Sequence, residues 1–137
     1  MESKKIRVTE NDYKKLREAI REAKNKAYRN SVYIQQLETE LERAEIVPGE
    51  RIPGDVVTMN SRVLLTDLAG GEPMELTLVF PADSGKDAGS ISVLAPIGTA
   101  MIGYRVGDEF EWDTPEGKTR LRVEKILYQP EAEGKLD

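Results

Sequence analysis

The first third of the chain sets its apolar residues three and four positions apart, and much of the remainder sets them at alternate positions. Tyr13, Leu16, Ile20, Ala23 and Ala27 follow spacings of 3, 4, 3 and 4, which is the period of one buried stripe along an α-helix. Ile34, Leu37, Leu41 and Ala44 repeat it with spacings of 3, 4 and 3. Thr9 fits an N-cap for the first helix, with Asp12 three residues on as in a capping box. Arg29-Asn30-Ser31 reads as the turn between the helices, because Asn tolerates left-handed backbone and Ser31 can cap the second helix. That helix ends before Pro48-Gly49. Two helices with so short a connection lie antiparallel. Their seam narrows from Tyr13 and Leu16 to Ala23 and Ala27, so they approach closely toward the tip.

Beyond Pro48 the period changes. Residues 48–54 hold two Pro and two Gly and read as a linker. Arg62 to Asp67 is the first clear strand, and Asp67-Leu-Ala-Gly-Gly71 turns the chain. Met74 to Phe80 alternates as a half-buried strand does. Ile91 to Leu94 is a short apolar strand after a polar loop. Pro96 to Ile102 is rich in Gly and Ala and opens on Pro, so it reads as a short helix. Phe110 and Trp112 alternate with Glu111 and Asp113, and Thr114-Pro-Glu-Gly117 signals a β-turn. Leu121, Val123, Ile126 and Tyr128 close the sheet, with a slip before Ile126 that fits a bulge. The acidic residues after Pro130 read as a frayed tail. The expected division is an arm (1–47), a linker (48–54), a head (55–130) and an acidic tail (131–137). The fold class is α+β: an antiparallel helical hairpin, in effect a short coiled coil, then an antiparallel sheet with a short helix.

Composition narrows the chemistry. The chain of 137 residues has no Cys and no His. Thiolate nucleophiles, disulfides, His general bases and zinc sites built on Cys or His are therefore excluded. No apolar run reaches the roughly 18 residues that span a bilayer, and the first residues lack the apolar segment of a secretory signal. The expected location is cytoplasmic, with no membrane partner. The formal charge of −5 hides an asymmetry: residues 1–30 carry ten Lys/Arg and five Asp/Glu, whereas residues 31–50 carry one Arg and five Glu. Complementary flanking charges would pair the two helices. The alternative, a basic stripe on nucleic acid, conflicts with the acidic remainder, since phosphate neutralisation drives such affinity. At most a weak, indirect nucleic-acid contact is expected.

Several runs carry a family resemblance. Asp55 to Val63, Ser92 to Asp108 (with Ala-Pro-Ile-Gly at 95–98 and Ile-Gly at 102–103), Tyr128-Gln-Pro-Glu-Ala132 and Leu37 to Ala44 resemble the regulator of nucleoside diphosphate kinase (Rnk) family. That family is related to the GreA/GreB transcript-cleavage factors of bacterial RNA polymerase. The resemblance covers about residues 34 to 133; the first helix matches in pattern only. Gre heads show Ser-Pro where Ala95-Pro96 stands, so the likeness runs toward Rnk. It implies an FKBP-like head docked at the rim of the polymerase secondary channel and an arm entering that channel. Gre activity uses acidic residues at the arm tip to hold a metal ion. Residues 24–32 here carry Lys24, Lys26 and Arg29 and no carboxylate. The expectation is a channel occupant that is not an enzyme, without metal or cofactor, competing with Gre factors.

The candidate partner-binding residues are Met59, Asn60, Ser61, Pro96, Ile97 and Met101 on the head and Lys26, Tyr28, Arg29 and Asn30 at the arm tip. Each has a plainer reading. Asn60 and Ser61 are also the short polar residues that satisfy backbone at a strand start. Pro96, Ile97 and Met101 form either a docking patch or the inner face of the short helix. Met101 and Ile102, being adjacent, are not both expected to face inward. Asp12, Glu18 and Glu22 share a helix face with Lys15 and Arg21 interleaved, which reads as a solvated face rather than a metal site. Phe80, Tyr104, Phe110 and Trp112 would line a proline pocket if the chain were a peptidyl-prolyl isomerase, and otherwise serve as core. A coiled-coil adaptor is the third class.

Overall fold

The computed structural model describes residues 5–26 and 31–135. Strand β1 (Arg7–Thr9) leads directly into helix α1 (Glu10–Lys24). Thr9 caps that helix as expected, its Oγ1 accepting from the Asp12 amide at 3.0 Å. Helix α2 (Val32–Arg43) begins at Ser31, whose Oγ accepts from the Ile34 amide at 3.4 Å. At 15 and 12 residues the helices are about 22 and 18 Å long. Ala44 is extended, and β2 (Glu45–Val47) comes directly after it.

Strands β1 and β2 pair in parallel, Arg7 with Glu45, Val8 with Ile46 and Thr9 with Val47. Parallel neighbours need a long crossover, and here the helical hairpin is that crossover. Three residues are too few to show a period, so this ribbon leaves no trace in the hydrophobic pattern.

The main sheet contains β3 (Arg62–Asp67), β4 (Pro73–Val79), β5 (Ser90–Ser92), β6 (Glu109–Thr114) and β7 (Gly117–Tyr128), in the spatial order β5-β4-β3-β7-β6. Strand β3 has the predicted bounds. The expected slip before Ile126 is a bulge: Leu64 faces Lys125 while Leu65 faces Val123, which leaves Glu124 extra. The sheet is not wholly antiparallel, because β5 runs parallel to β4. The loop after β4 returns the chain to the same end of the sheet before β5 starts.

Helix α3 (Pro96–Met101) lies against the sheet, and glycine makes that possible. A Cβ on Gly98 would stand 2.3 Å from the Ser92 carbonyl oxygen and 2.9 Å from the Val93 Cα. Ile97 and Met101 face inward, 4% and 0% exposed, and Ile102 is 1% exposed. Adjacent Met101 and Ile102 are thus both buried, against expectation. The chain leaves the helix at Ile102 (φ −57°, ψ 131°), which turns its side chain to a second buried face beside Ile6 and Phe110. Gly103 comes next at φ +80°, and a Cβ there would come 2.5 Å from the Ile6 Cβ.

One continuous apolar cluster joins all of this. It holds Ile6, Val8, Leu16, Ile20, Leu37 and Leu41 from the N-terminal elements together with Met59, Val63, Leu78, Met101 and Val123 from the sheet side. Contrary to expectation, residues 131–135 are not frayed. Glu131–Glu133 form a 3₁₀ turn, and Glu131 Oε1 accepts from the Thr58 hydroxyl at 2.7 Å. Gln129 is 3% exposed and donates to the carbonyls of Pro53 and Val56, each at 2.9 Å.

Asp12 also departs from the solvated face expected on α1. It is 6% exposed, and its Oδ2 accepts from the Met59 amide at 3.0 Å. Burial, with the nearby Glu131 charge adding to it, lifts its pKa from 3.8 to about 6, against the opposing pull of the Met59 amide, Lys15 and Thr9.

Both close contacts have measurable consequences. Gly98→Ala should lower stability by about 1–3 kcal/mol, because backbone cannot yield to the new methyl. Gly54→Ala, where a Cβ meets nothing within 4 Å, should change little; urea midpoints compare the two. For Asp12 the folded pKa of about 6 lies above the unfolded 3.8. Its contribution is therefore full below pH 3.8 and is lost as pH rises toward and through 6, to the extent of ~3 kcal/mol. Asp12→Asn keeps an acceptor for Met59 and removes the charge. It should raise the urea midpoint near neutral pH and leave it unchanged or lower near about pH 4. An equal effect at both pH values would show that the carboxylate is not the titrating group.

Candidate functional site

The head residues expected to bind a partner are mostly structural. Met59 is 1% exposed and Ser61 0%. Ser61 Oγ accepts from the Thr58 amide at 3.0 Å and lies 2.8 Å from the Thr58 hydroxyl, so it serves local backbone, in line with the plainer reading. Ile97 and Met101 are core for the reason given above. Asn60 is exposed at φ 68°, a left-handed conformation it tolerates better than most residues. Pro96 is half-buried. Of the expected head patch, then, only Asn60 and Pro96 reach solvent.

At the hairpin's far end Lys26 is exposed, and Tyr28, Arg29 and Asn30 lie outside the described residues. Lys24 is not a bare cation: its Nζ stands 2.6 Å and 2.8 Å from the two carboxylate oxygens of Glu38 on α2. This pair is the predicted charge complementarity between the helices, reduced among the described residues to a single cross-helix bridge near the tip.

What the sequence did not indicate is how far α1 lies along the head. A groove of about 310 Å³ runs between them. One wall is Lys15, Glu18, Ala19, Glu22, Ala23 and Lys26; the other is Phe80, Pro81, Ala82 and Leu94. Its floor is apolar and its helix rim alternates basic and acidic residues. Pro81 and Ala82 are exposed, while Phe80 and Leu94 are half-buried. Two signals could have found it: the small residues Ala19 and Ala23 on α1, and the Phe80-Pro81-Ala82 run just past a strand.

The aromatic residues do not converge on one pocket. Phe80 lines the α1 groove, whereas Tyr104 and Phe110 pack edge to face, 5.9 Å apart at 82°, and line a cavity beside α2. The proline pocket of an isomerase is therefore not assembled from these four. Burial raises the Tyr104 pKa above 10.0, with the Glu40 and Asp108 charges contributing. The adaptor reading loses its free seam, since Leu16, Ile20, Leu37 and Leu41 are buried in this chain's own core. Among the described residues no three acidic side chains gather as a metal would require.

Comparison with known proteins places this geometry. The family model for transcription elongation factor GreA/GreB, C-terminal part, matches residues 52–128, and that for the Rnk N-terminus matches residues 4–47. The match thus includes the first helix, which the sequence pattern alone tied only loosely to the family. The regulator of nucleoside diphosphate kinase of Escherichia coli K12 is 45% identical over 109 residues, which cover 79% of this chain and 80% of that protein. Transcription inhibitor protein Gfh1 of Thermus aquaticus is 39% identical over 76% of this chain and 66% of its own length. Transcription elongation factor GreA of Nitratidesulfovibrio vulgaris is 34% identical over 69% of this chain, but only 58% of that protein is matched. Among solved structures, the GreA/GreB factor from Nitrosomonas europaea superposes with a TM-score of 0.76 at 38% identity, covering 90% of this chain and 100% of that one. Gfh1 of Thermus thermophilus gives 0.50 at 29% identity with 91% and 100% covered. At nearly equal coverage, the lower score means that its elements are arranged less alike.

Proposed function

The chain belongs to the GreA/GreB family, in its Rnk branch, and from that premise we propose that it regulates transcription by binding RNA polymerase at the rim of the secondary channel without stimulating transcript cleavage. The observation that carries this reading is the hairpin's end. Residues 24–32 hold no carboxylate, and Glu38, which approaches it, is committed to Lys24. Two-metal phosphoryl chemistry needs oxygen ligands for the second ion. A tip without them can fill space beside the active centre but cannot hold that ion.

The head supplies the dock. Ile97 and Met101 are core, so the contact falls on the apolar groove formed by Ala19, Phe80, Pro81, Ala82 and Leu94 and on the adjoining Pro96. Such a groove suits the apolar stripe of a helical element on the polymerase, and the alternating Lys and Glu of its rim would set register. The α1 side of this groove extends through the helix to Lys26 in the turn after it, which limits independent reach.

Two outcomes are expected. The chain should displace labelled GreA from RNA polymerase, and Ala82→Glu or Leu94→Asp should weaken that competition by about 1–3 kcal/mol with the fold unchanged. Simultaneous binding of both proteins would remove the shared site. Added to a backtracked complex with magnesium, the chain should leave the cleavage rate at its basal value; stimulated cleavage would overturn the tip argument.

A further inference from the structure

The helix side of the α1 groove carries four charges that the fold itself does not use. Lys15, Glu18, Glu22 and Lys26 stand along this rim at spacings of 3, 4 and 4, and all four are exposed. Among the described residues none of them is in an ion pair, whereas Lys24 on the same helix is bridged to Glu38, and Arg105 and Arg120 on the head are bridged to Asp55 and Glu109. Lys15 reaches the buried Asp12 only through space. The order along the rim is basic, acidic, acidic, basic. From Lys15 to Glu22 it runs about 10 Å, and the two glutamates are one turn, about 6 Å, apart. Across the trough stand Phe80, Pro81, Ala82 and Leu94, with Pro81 and Ala82 open to solvent.

Resting on the docking reading above, we propose that this groove selects an amphipathic helix of a partner protein by its order of charges: two basic residues one turn apart against Glu18 and Glu22, an acidic residue beyond each against Lys15 and Lys26, and an apolar stripe beside them in the trough. A helix laid along α1 repeats its side chains at the same spacing of three and four, so all four pairs form together. Other occupants fail on the same charges. A second copy meeting this rim with its own α1 would set Lys against Lys and Glu against Glu, parallel or antiparallel, because the order reads the same from either end. A nucleic-acid strand would bring its phosphates against the two glutamates. The same symmetry means that the charges fix the register of the partner helix and not its direction. Direction is left to the apolar contacts.

The test uses isotope-labelled full-length chain and two helix-stapled peptides with the same apolar stripe. One carries Glu, Arg, Arg and Glu at the spacing of the rim; in the other these charges are exchanged. Saturable amide shifts at Glu18, Ala19, Glu22 and Ala82 are expected for both, with the first peptide bound about ten-fold tighter, since exposed pairs contribute little singly and four act together. The difference should fade at about 1 M salt. Glu18→Lys combined with Glu22→Lys should reverse the preference, a result that loss of fold cannot mimic. Should that variant fail to fold, Lys15→Glu combined with Lys26→Glu should remove the preference instead. Equal binding of the two peptides, binding of neither, an unchanged preference in the variants, or dimerisation of the chain through this groove overturns the assignment. The dock itself is read separately, by displacement of labelled GreA from RNA polymerase. Displacement lost in Ala82→Glu but intact in the charge-reversed chain keeps the groove and overturns only its selection by charge; displacement untouched by both removes the groove as well.

Discussion

Strand β1 is held on both of its edges, and the rest of the molecule depends on that. On one edge it pairs with β2, and on the other the Arg7 amide donates to the Gly103 carbonyl at 3.3 Å. Gly103 in turn donates to the Val57 carbonyl at 2.9 Å. Three residues of backbone thus link the start of α1, the end of α2 and the turn after α3. Only glycine allows the approach, because any Cβ at position 103 would run into Ile6 and the Arg7 backbone. The ribbon is short and contributes little alone. Its effect is to fix both ends of the helical hairpin at one place on the head, so that the seam of the hairpin is buried rather than left to two marginal helices.

Asp12 acts at the same junction through charge. Its carboxylate reaches across from the first turn of α1 to the Met59 amide, and Glu131 reaches the neighbouring Thr58 hydroxyl from the C-terminal turn. Segment 58–61 is therefore clasped from both ends of the chain by carboxylates. Each bond satisfies a polar group that packing would otherwise strand, while the proximity of the two charges opposes ionisation of the more buried one. The raised Asp12 pKa is the electrostatic consequence of closing the fold around residues that resemblance alone would make a docking surface.

The sequence read well where a local rule had several residues to act on. Thr9 and Ser31 cap as their side chains allow, β3 has its predicted bounds, α3 starts at Pro96, and the bulge falls at Glu124. It read poorly where the deciding contact was distant. Strands β1 and β2 have three residues each, too few for a period. Whether β5 runs parallel or antiparallel depends on the path of the loop before it, which composition does not encode. Asp12 looks solvent-facing beside Lys15 and Glu18, and only the position of Met59 makes it a buried acceptor. Met101 and Ile102 seemed exclusive because helix geometry was extended one residue too far. The interaction surfaces were least legible: Ile97, Met101, Met59 and Ser61 turned out to build the head, and the grooves arise between elements that are far apart in sequence.

Those grooves are the direct product of laying a helix pair along a sheet. The α1 side meets Phe80, Pro81 and Leu94, and its small alanines leave an open apolar trough. The α2 side meets α3 and Tyr104, and Glu40 there keeps one buried oxygen that no donor among the described residues reaches. A hairpin projecting freely from its base would have neither. The helix side of the α1 groove carries both Lys and Glu, and the basic excess of residues 1–30 lies mostly outside α1, in which five Lys/Arg stand against four Asp/Glu. Among the described residues Lys24 and Glu38 alone bridge the two helices, so little of the complementarity that the charge pattern suggests acts between them.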